Sequence, residues 1–448
     1  MTLEENKLGV MPIGKLLFQV SFPIVISMLI QSLYNLVDSY YIGKINEAAF
    51  SAISIAFPIQ NIMIGIGVGT GVGMNALISR HLGEKNFEES NRTAENGLFL
   101  AIIYSIIFFI LSRILPSAYL NSQTTDKMIV DYGVHYLQIV MGFSFGVFLQ
   151  IYMERILQST GRTVLTMITQ LIGAILNIIL DPIFIFGKYG LPAMGVRGAA
   201  IATVTGQIVG ACCGFILQHT LNKEITIKSP RADGYIIKDI FKVGFPSTIA
   251  FTIQSFTIYV LNAMLAKIST SAVAALGAYF KVQSLVFLPI FGLNNGIVPI
   301  IAYNYGAEQK DRIIEVMKLA FKVVILMTII IAGGIFIFPE KVLSIFSATD
   351  EMLKIGVPML KICATSYIFA GISIVGISIF QAFGNGMLPL LDSILRQIIV
   401  LLPVAYIALK YFSVNEIWYG YLIAEISSVI FVAYFMNTFV RRKLERIK

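Results

Sequence analysis

Two carboxylates stand inside apolar runs. Asp38 ends the first apolar span, in QSLYNLVDSYYIG, and Asn35 lies three residues before it on the same helical face. Asn177 and Asp181 lie in AILNIILDPIFIFG. Their i, i+4 spacing puts an amide oxygen and a carboxylate on one face. An ionisable group in a lipid-spanning segment is costly and marks function by default. A carboxylate kept from water takes a proton or a cation, and hard oxygen ligands of this kind suit Na⁺ or a proton relay. Pro182 is expected to disfavour helical geometry at Asp181 and to free backbone carbonyls. The competing readings stay open: a solvated carboxylate at a span end for Asp38, and a helix-end turn for Asn177 and Asp181.

Other charges also lie in or near apolar runs. Glu154, in IYMERILQSTGR, has Arg155 and Arg162 nearby, and a solvated or ion-paired cytoplasmic end is favoured over a gate. Glu425 is open between buried pairing and exposure to a lumen. Lys281, beside Tyr279 and Gln283, is open between a bond to carbonyls and a cavity role. Asp392 and Arg396 are expected to pair at i, i+4, and Lys361 to snorkel. The three Cys (Cys212, Cys213, Cys363) form no CxxC pattern and read as small buried apolar residues. Three scattered His argue against a His-rich metal site. The run GIGVGTGVG at 65–73 resembles a phosphate loop only superficially, for it lacks a Lys-Ser/Thr and a βαβ unit. Gly65, Gly69 and Gly73 have the small-xxx-small spacing that lets helices pack closely. Pro23 and Pro246 each remove a helix hydrogen bond and are expected to kink their helices, as a moving part or as a static bend.

The elements that must hold these groups follow from composition. Of 448 residues, 57% are hydrophobic and only 13% charged, with mean hydropathy +0.81. Ordinary soluble domains carry about 25% charged residues. This excludes a soluble enzyme, a disordered chain and a disulfide scaffold. About twelve apolar runs can span a bilayer, the fourth over 131–153. The net charge of +8 lies in short loops, which argues against nucleic acid as a partner and for a membrane orientation signal. Of the 33 Lys and Arg, 22, from Lys7 to Lys448, fall on the side of the termini, and 10, Lys267 among them, on the other. Both termini are therefore expected to be cytoplasmic. The polar N-terminal stretch MTLEENKLGVMPIGK shows no cleavable signal peptide.

The chain also repeats. Shifted by 223 positions it matches itself: Phe22-Pro23 with Phe245-Pro246, Gln31-Ser32 with Gln254-Ser255, Gly69 with Gly292, Gly83 with Gly306, Pro116 with Pro339. The expected organisation is an N-terminal six-helix lobe over 1–221, a cytoplasmic linker over 222–235 and a C-terminal six-helix lobe over 236–448. Six spans per repeat make the repeats parallel, an arrangement common in secondary transporters.

These features together resemble the multidrug and toxic compound extrusion (MATE) family. The resemblance rests on the paired Phe-Pro openings, NLVDSYYIG, NIILDPIFIFG and GVRGAAIAT, and covers essentially the whole chain. It is strongest to the bacterial DinF-like and MepA-like members, whose N-terminal acids carry coupling. It implies an all-α polytopic membrane protein of twelve transmembrane helices in two pseudo-symmetric lobes. It assigns Asp38, Asn177 and Asp181 to a cation or proton site, with Thr203 as a further oxygen ligand and Asn35 as a neighbour. Pro23 matches a proline at which the first helix is proposed to bend. The NorM-like branch instead carries acids in spans 7 and 10. The aligned places here are Gln254 and about Ala370, so a C-lobe cation site of that type is not expected.

The expected function is a multidrug efflux antiporter, not an enzyme. It would export amphipathic or cationic compounds against H⁺ or Na⁺ by alternating access, from a cavity lined by aromatic and Met side chains. No cofactor is expected, since no nucleotide motif is present. Membrane lipids surround the expected multi-pass monomer, in the plasma or inner membrane. A flippase for a lipid-linked saccharide is the alternative, and it would want more cationic side chains in the cavity.

Overall fold

Within a bilayer no water is present to take backbone N–H and C=O groups, so long apolar runs satisfy them internally as helices. A computed structural model describes residues 6–266, 268, 270–345 and 350–447. The first five residues, Lys267 and Lys448, used above for orientation, lie outside these. Among the described residues there is no strand. The first half holds α1 (Lys7–Val10), α2 (Ile13–Gly43), α3 (Glu47–Gly83), α4 (Phe87–Leu111), α5 (Leu115–Gln123), α6 (Lys127–Gly142), α7 (Phe145–Ser159), α8 (Thr163–Phe186) and α9 (Val196–Leu221). The second half holds α10 (Gly234–Leu265), α11 (Thr270–Gly306), α12 (Lys310–Ile337), α13 (Pro339–Ser344), α14 (Asp350–Ala382), α15 (Met387–Ser393), α16 (Leu402–Tyr411), α17 (Tyr419–Phe435) and α18 (Arg441–Glu445). A π-helical stretch, Ile394–Leu401, joins α15 to α16, and another, Met436–Val440, joins α17 to α18.

Among the described residues eleven continuous helical stretches are long and apolar enough to span a membrane, and a bent pair makes the twelfth. Two of the eleven, Met387–Tyr411 and Val414–Glu445, run through a π-helical stretch. The bent pair is α6 and α7, which meet at 47°. The expected straight span over 131–153 is therefore a broken one, interrupted at Phe143 and Ser144. Pro116 and Pro339, matched by the 223-residue shift, each sit in the first turn of a short helix, α5 and α13. Proline is tolerated there because that N–H has no helical acceptor.

The two halves meet through glycines that the repeat places in register. A Cβ on Gly73 would come within 2.2 Å of the Ile240 carbonyl oxygen, and one on Gly69 within 2.9 Å of the Gly244 oxygen. In the second half, Gly292 and Gly296 lie in the same way against Val25 and Ser21 of α2. Gly83 and Gly306 face each other's helices, against the carbonyls of Tyr303 and Arg80. Close backbone approach of this kind is how helices associate where the surroundings are as apolar as the side chains. Gly65 has nothing within 4 Å of a Cβ, so the expected packing stripe starts at Gly69.

α2 runs unbroken through Pro23. Pro23 has no N–H for the Gln19 carbonyl one turn back, and the Thr163 hydroxyl donates to that oxygen at 3.2 Å instead. The segment after α9 is strapped to α4. Arg92 pairs with Asp233 at 2.6 Å, the Asp233 N–H donates to Asn96, and the Thr226 N–H donates to Asn91. The Asp233 carboxyl is held below its usual range by the backbone N–H of Tyr235 and then by Arg92.

Candidate functional site

Packing of α8 on α9 sets the first part of the site. A Cβ on Gly206 would lie 2.6 Å from the Gly173 oxygen, so the two backbones touch there. This brings Thr203, one turn before Gly206, to Asn177. The Asn177 amide nitrogen donates to the Thr203 hydroxyl and to Asp181 Oδ1, both at 3.4 Å. Asn177 is 2% exposed and Asp181 0%, so neither carboxylate nor amide draws on solvent. Asp38, on α2, lies close enough for its charge to act on Asp181. Three buried oxygens here have no hydrogen-bond partner: Asp38 Oδ1, Asn177 Oδ1 and Asp181 Oδ2. Such a set is incomplete without a proton or cation, because a buried unpaired carboxylate is strongly disfavoured.

The structure does not bring Asn35 to this set. It is exposed, and its carbonyl accepts from the Ser39 hydroxyl. Tyr34, one residue earlier, points about 100° away around the helix and faces inward. It lies near both Asp38 and Glu154. Tyr136 also lies near Asp38 and Asp181, and accepts from Gln60 at 3.1 Å. Neither tyrosine was singled out from the sequence. The i−4 spacing of Tyr34 from Asp38 was a usable signal, whereas Tyr136 sits in an ordinary apolar run. The expected break at Pro182 is absent: α8 continues to Phe186 and ends at Gly187, with φ +70°. Pro182 removes only the bond to the Ile178 carbonyl, in the last turns, where one lost bond is tolerated.

Beside this set lies a cavity of about 400 Å³ between the halves, of which Asn177 and Thr203 form part of the wall. Its lining differs from the expected aromatic and Met surface. Ten lining residues are Asn or Gln, two are aromatic (Tyr34 and Phe291) and one is Met28. Glu154 and Arg155 also line it, 9% and 8% exposed. The expectation of a solvated Glu154 is thus overturned. The bend between α6 and α7 lays α7 inside the bundle rather than ending it at the surface. Arg155 does not pair with Glu154. Its guanidinium donates to Gln158 at 3.0 Å and to Asn295, from the other half, at 2.9 Å.

The second half has its own buried charges. Arg396 pairs with Glu425 at 3.3 Å, so Glu425 is in a buried pair. Asp392 is not its expected partner: fully buried, it accepts from the Ser428 hydroxyl at 2.6 Å. The π-helical turn shifts Arg396 off the simple i, i+4 register toward α17. Lys281 is exposed. Cys363 is buried, but Cys212 is exposed on α9, against the expectation of burial; an apolar side chain is stable against lipid.

Comparison with known proteins follows this architecture. The MatE family model matches twice, over residues 23–183 and 246–407. The two matches start 223 residues apart, the offset of the internal repeat. The chain is 28% identical over 423 residues to the multidrug export protein MepA of Staphylococcus aureus, covering 92% of this chain and 91% of that protein. It is 27% identical over 439 residues to MepA of Staphylococcus haemolyticus, covering 96% and 95%. In three dimensions it is similar to an outward-facing multidrug resistance MATE transporter of the MOP superfamily, with TM-score 0.90, 23% identity and 99% of each chain covered. The twelve-span, two-lobe architecture, the doubled family match and the MepA relatives agree, and the chain belongs to the MatE family of multidrug and toxic compound extrusion transporters.

Proposed function

We propose that this protein is an efflux antiporter that exports amphipathic or cationic compounds in exchange for H⁺ or Na⁺ by alternating access. The observation that carries the reading is a shared wall. Asn177 and Thr203 hold the Asp181 side of the acid set and also line the cavity. A proton or cation arriving at Asp38 and Asp181 therefore changes groups that a cargo touches. Exchange requires that each ligand interact differently with the two states. One charge moved through 100 mV supplies about 2.3 kcal/mol. The names of the MepA relatives support export. Among the described lining residues Arg155 is the one basic side chain, and one of its guanidinium nitrogens already donates to Gln158 and Asn295; a wall with so little positive charge favours this reading over a phosphate-bearing lipid cargo.

The test is flux of a fluorescent cation in proteoliposomes, with pH and Na⁺ gradients imposed separately. One gradient is expected to drive accumulation, and Asp38→Asn and Asp181→Asn each to reduce it at least tenfold. Full gradient-driven flux in both variants would remove the site assignment.

A further inference from the structure

We propose that the cavity selects cations bearing N–H donors, with the Glu154 carboxylate as their counter-ion and the amide oxygens of Gln207 and Asn294 as further acceptors. The inference rests on the export reading above and names its cargo class.

Glu154 is buried, lines the cavity, and its Oε1 has no hydrogen-bond partner. Among the described residues it has no ion pair. The adjacent guanidinium is turned away: Arg155 is held by Gln158 and Asn295, and its stem lies where a Cβ on Gly71 would come within 2.6 Å. Gln207 Oε1, from α9, and Asn294 Oδ1, from α11, are likewise buried, unpartnered and on lining residues. Apart from Arg155 Nε, which is also buried and unpartnered, the unfilled groups in this wall are acceptors, and they come from both halves of the molecule.

The Arg155 charge acts on Glu154 and Gln150 and Gln170 lie beside it, but no direct ion pair forms among the described residues, so a positively charged cargo still gains at this buried carboxylate. Charge alone does not fill the amide oxygens. An ammonium or guanidinium N–H does, whereas a quaternary nitrogen leaves them empty. A site built to hydrogen-bond its ligand discriminates strongly against an analogue lacking the donor. The alternative, recognition through aromatic faces, would suit quaternary cations. With Tyr34 and Phe291 the two aromatic side chains among the described lining residues, the wall offers little of it.

The experiment uses the full chain in nanodiscs and matched probes of equal charge: phenylbutylammonium and its N-trimethyl counterpart. Affinities come from titration calorimetry, with liposome flux in parallel. The N–H probe is expected to bind at least about tenfold more tightly, about 1.4 kcal/mol. Glu154→Gln, which keeps the side-chain shape, is expected to weaken binding of both probes and to narrow the difference, and Glu154→Asp to do so less. Asn294→Leu is expected to reduce it and serves if the Glu154 variants do not fold. Equal binding of the two probes with flux intact overturns this inference and leaves the export reading standing. A preference left undiminished by both Glu154→Gln and Asn294→Leu also overturns it. Binding of neither probe together with absent flux overturns both.

Discussion

At the scale of single residues, the recurring fact is polar groups that the chain itself leaves unfinished. Where the chain does finish them, the device is local. Pro23 strips the Gln19 carbonyl of its helical donor, and the Thr163 hydroxyl supplies another. The repeat puts Gly386 at the place of Thr163, and a Cβ there would lie 2.7 Å from Lys242 O, the carbonyl that Pro246 strips. The second half thus has close backbone approach where the first has a hydroxyl. Thr163→Val should therefore lower stability by about 0.6–1.7 kcal/mol, the range for side-chain hydrogen bonds between membrane helices. Denaturation in detergent measures it. Thr203→Val keeps volume but removes the hydroxyl that accepts from Asn177. It should weaken the dependence of flux on the driving ion while leaving the fold intact, read as a higher ion concentration for half-maximal rate.

Helices carry the next level of argument. The glycine spacing in α3 was legible from the sequence, but only tertiary contact separates its members. Gly73 faces a backbone oxygen at 2.2 Å from a would-be Cβ, whereas Gly65 faces nothing within 4 Å. Gly73→Ala is expected to force α3 and α10 apart, because a carbonyl cannot rotate out of the way as a side chain can. Gly65→Ala is expected to be neutral. A cysteine pair across α3 and α10 reads the difference as a lost crosslink in the first variant and a retained one in the second. The bend at Phe143 and Ser144 shows the limit of periodicity. The run 131–153 is apolar throughout, and nothing in its pattern marks the break that turns Glu154 inward.

The whole molecule is tied across its halves by the N-terminal segment as well as by glycines. Arg312 donates to the carbonyls of Leu8 and Met11 at 3.0 and 2.8 Å, and Asn304 donates to Leu8 at 2.9 Å. On the other side, Asn6 donates to Glu224, which also pairs with Arg162 at 3.6 Å. The N-terminal segment therefore bridges a second-half arginine and a carboxylate of the segment after α9. Arg312→Gln should favour separation of the halves at this end. Hydrogen bonds to charged groups contribute about 1.5–3 kcal/mol, so spin-label distances across Arg80 and Tyr305 should broaden toward longer values. Burial pushes the Glu224 carboxyl above its ordinary range, against the pull of Asn6, Arg162 and Lys7. A raised pKa means that the docked state favours the protonated form. Docking should strengthen as pH falls through that raised pKa and weaken above it. Hydrogen exchange at residues 7–11, corrected for intrinsic rates, should show this slope in the wild type and lose it in Glu224→Gln.

The span count, the duplication and the acids Asp38 and Asp181 were legible in the chain alone, because lipid forbids charge and periodicity is a one-dimensional property. Asn177 and Asp181 were readable as a pair since one helix face holds both. What remained hidden needed two elements at once. The exclusion of Asn35, the inward turn of Glu154, the pairing of Arg396 with Glu425 and the amide-rich wall all depend on which neighbour a helix meets and at what angle. Spacing along a chain specifies a face, but only packing decides what that face looks at.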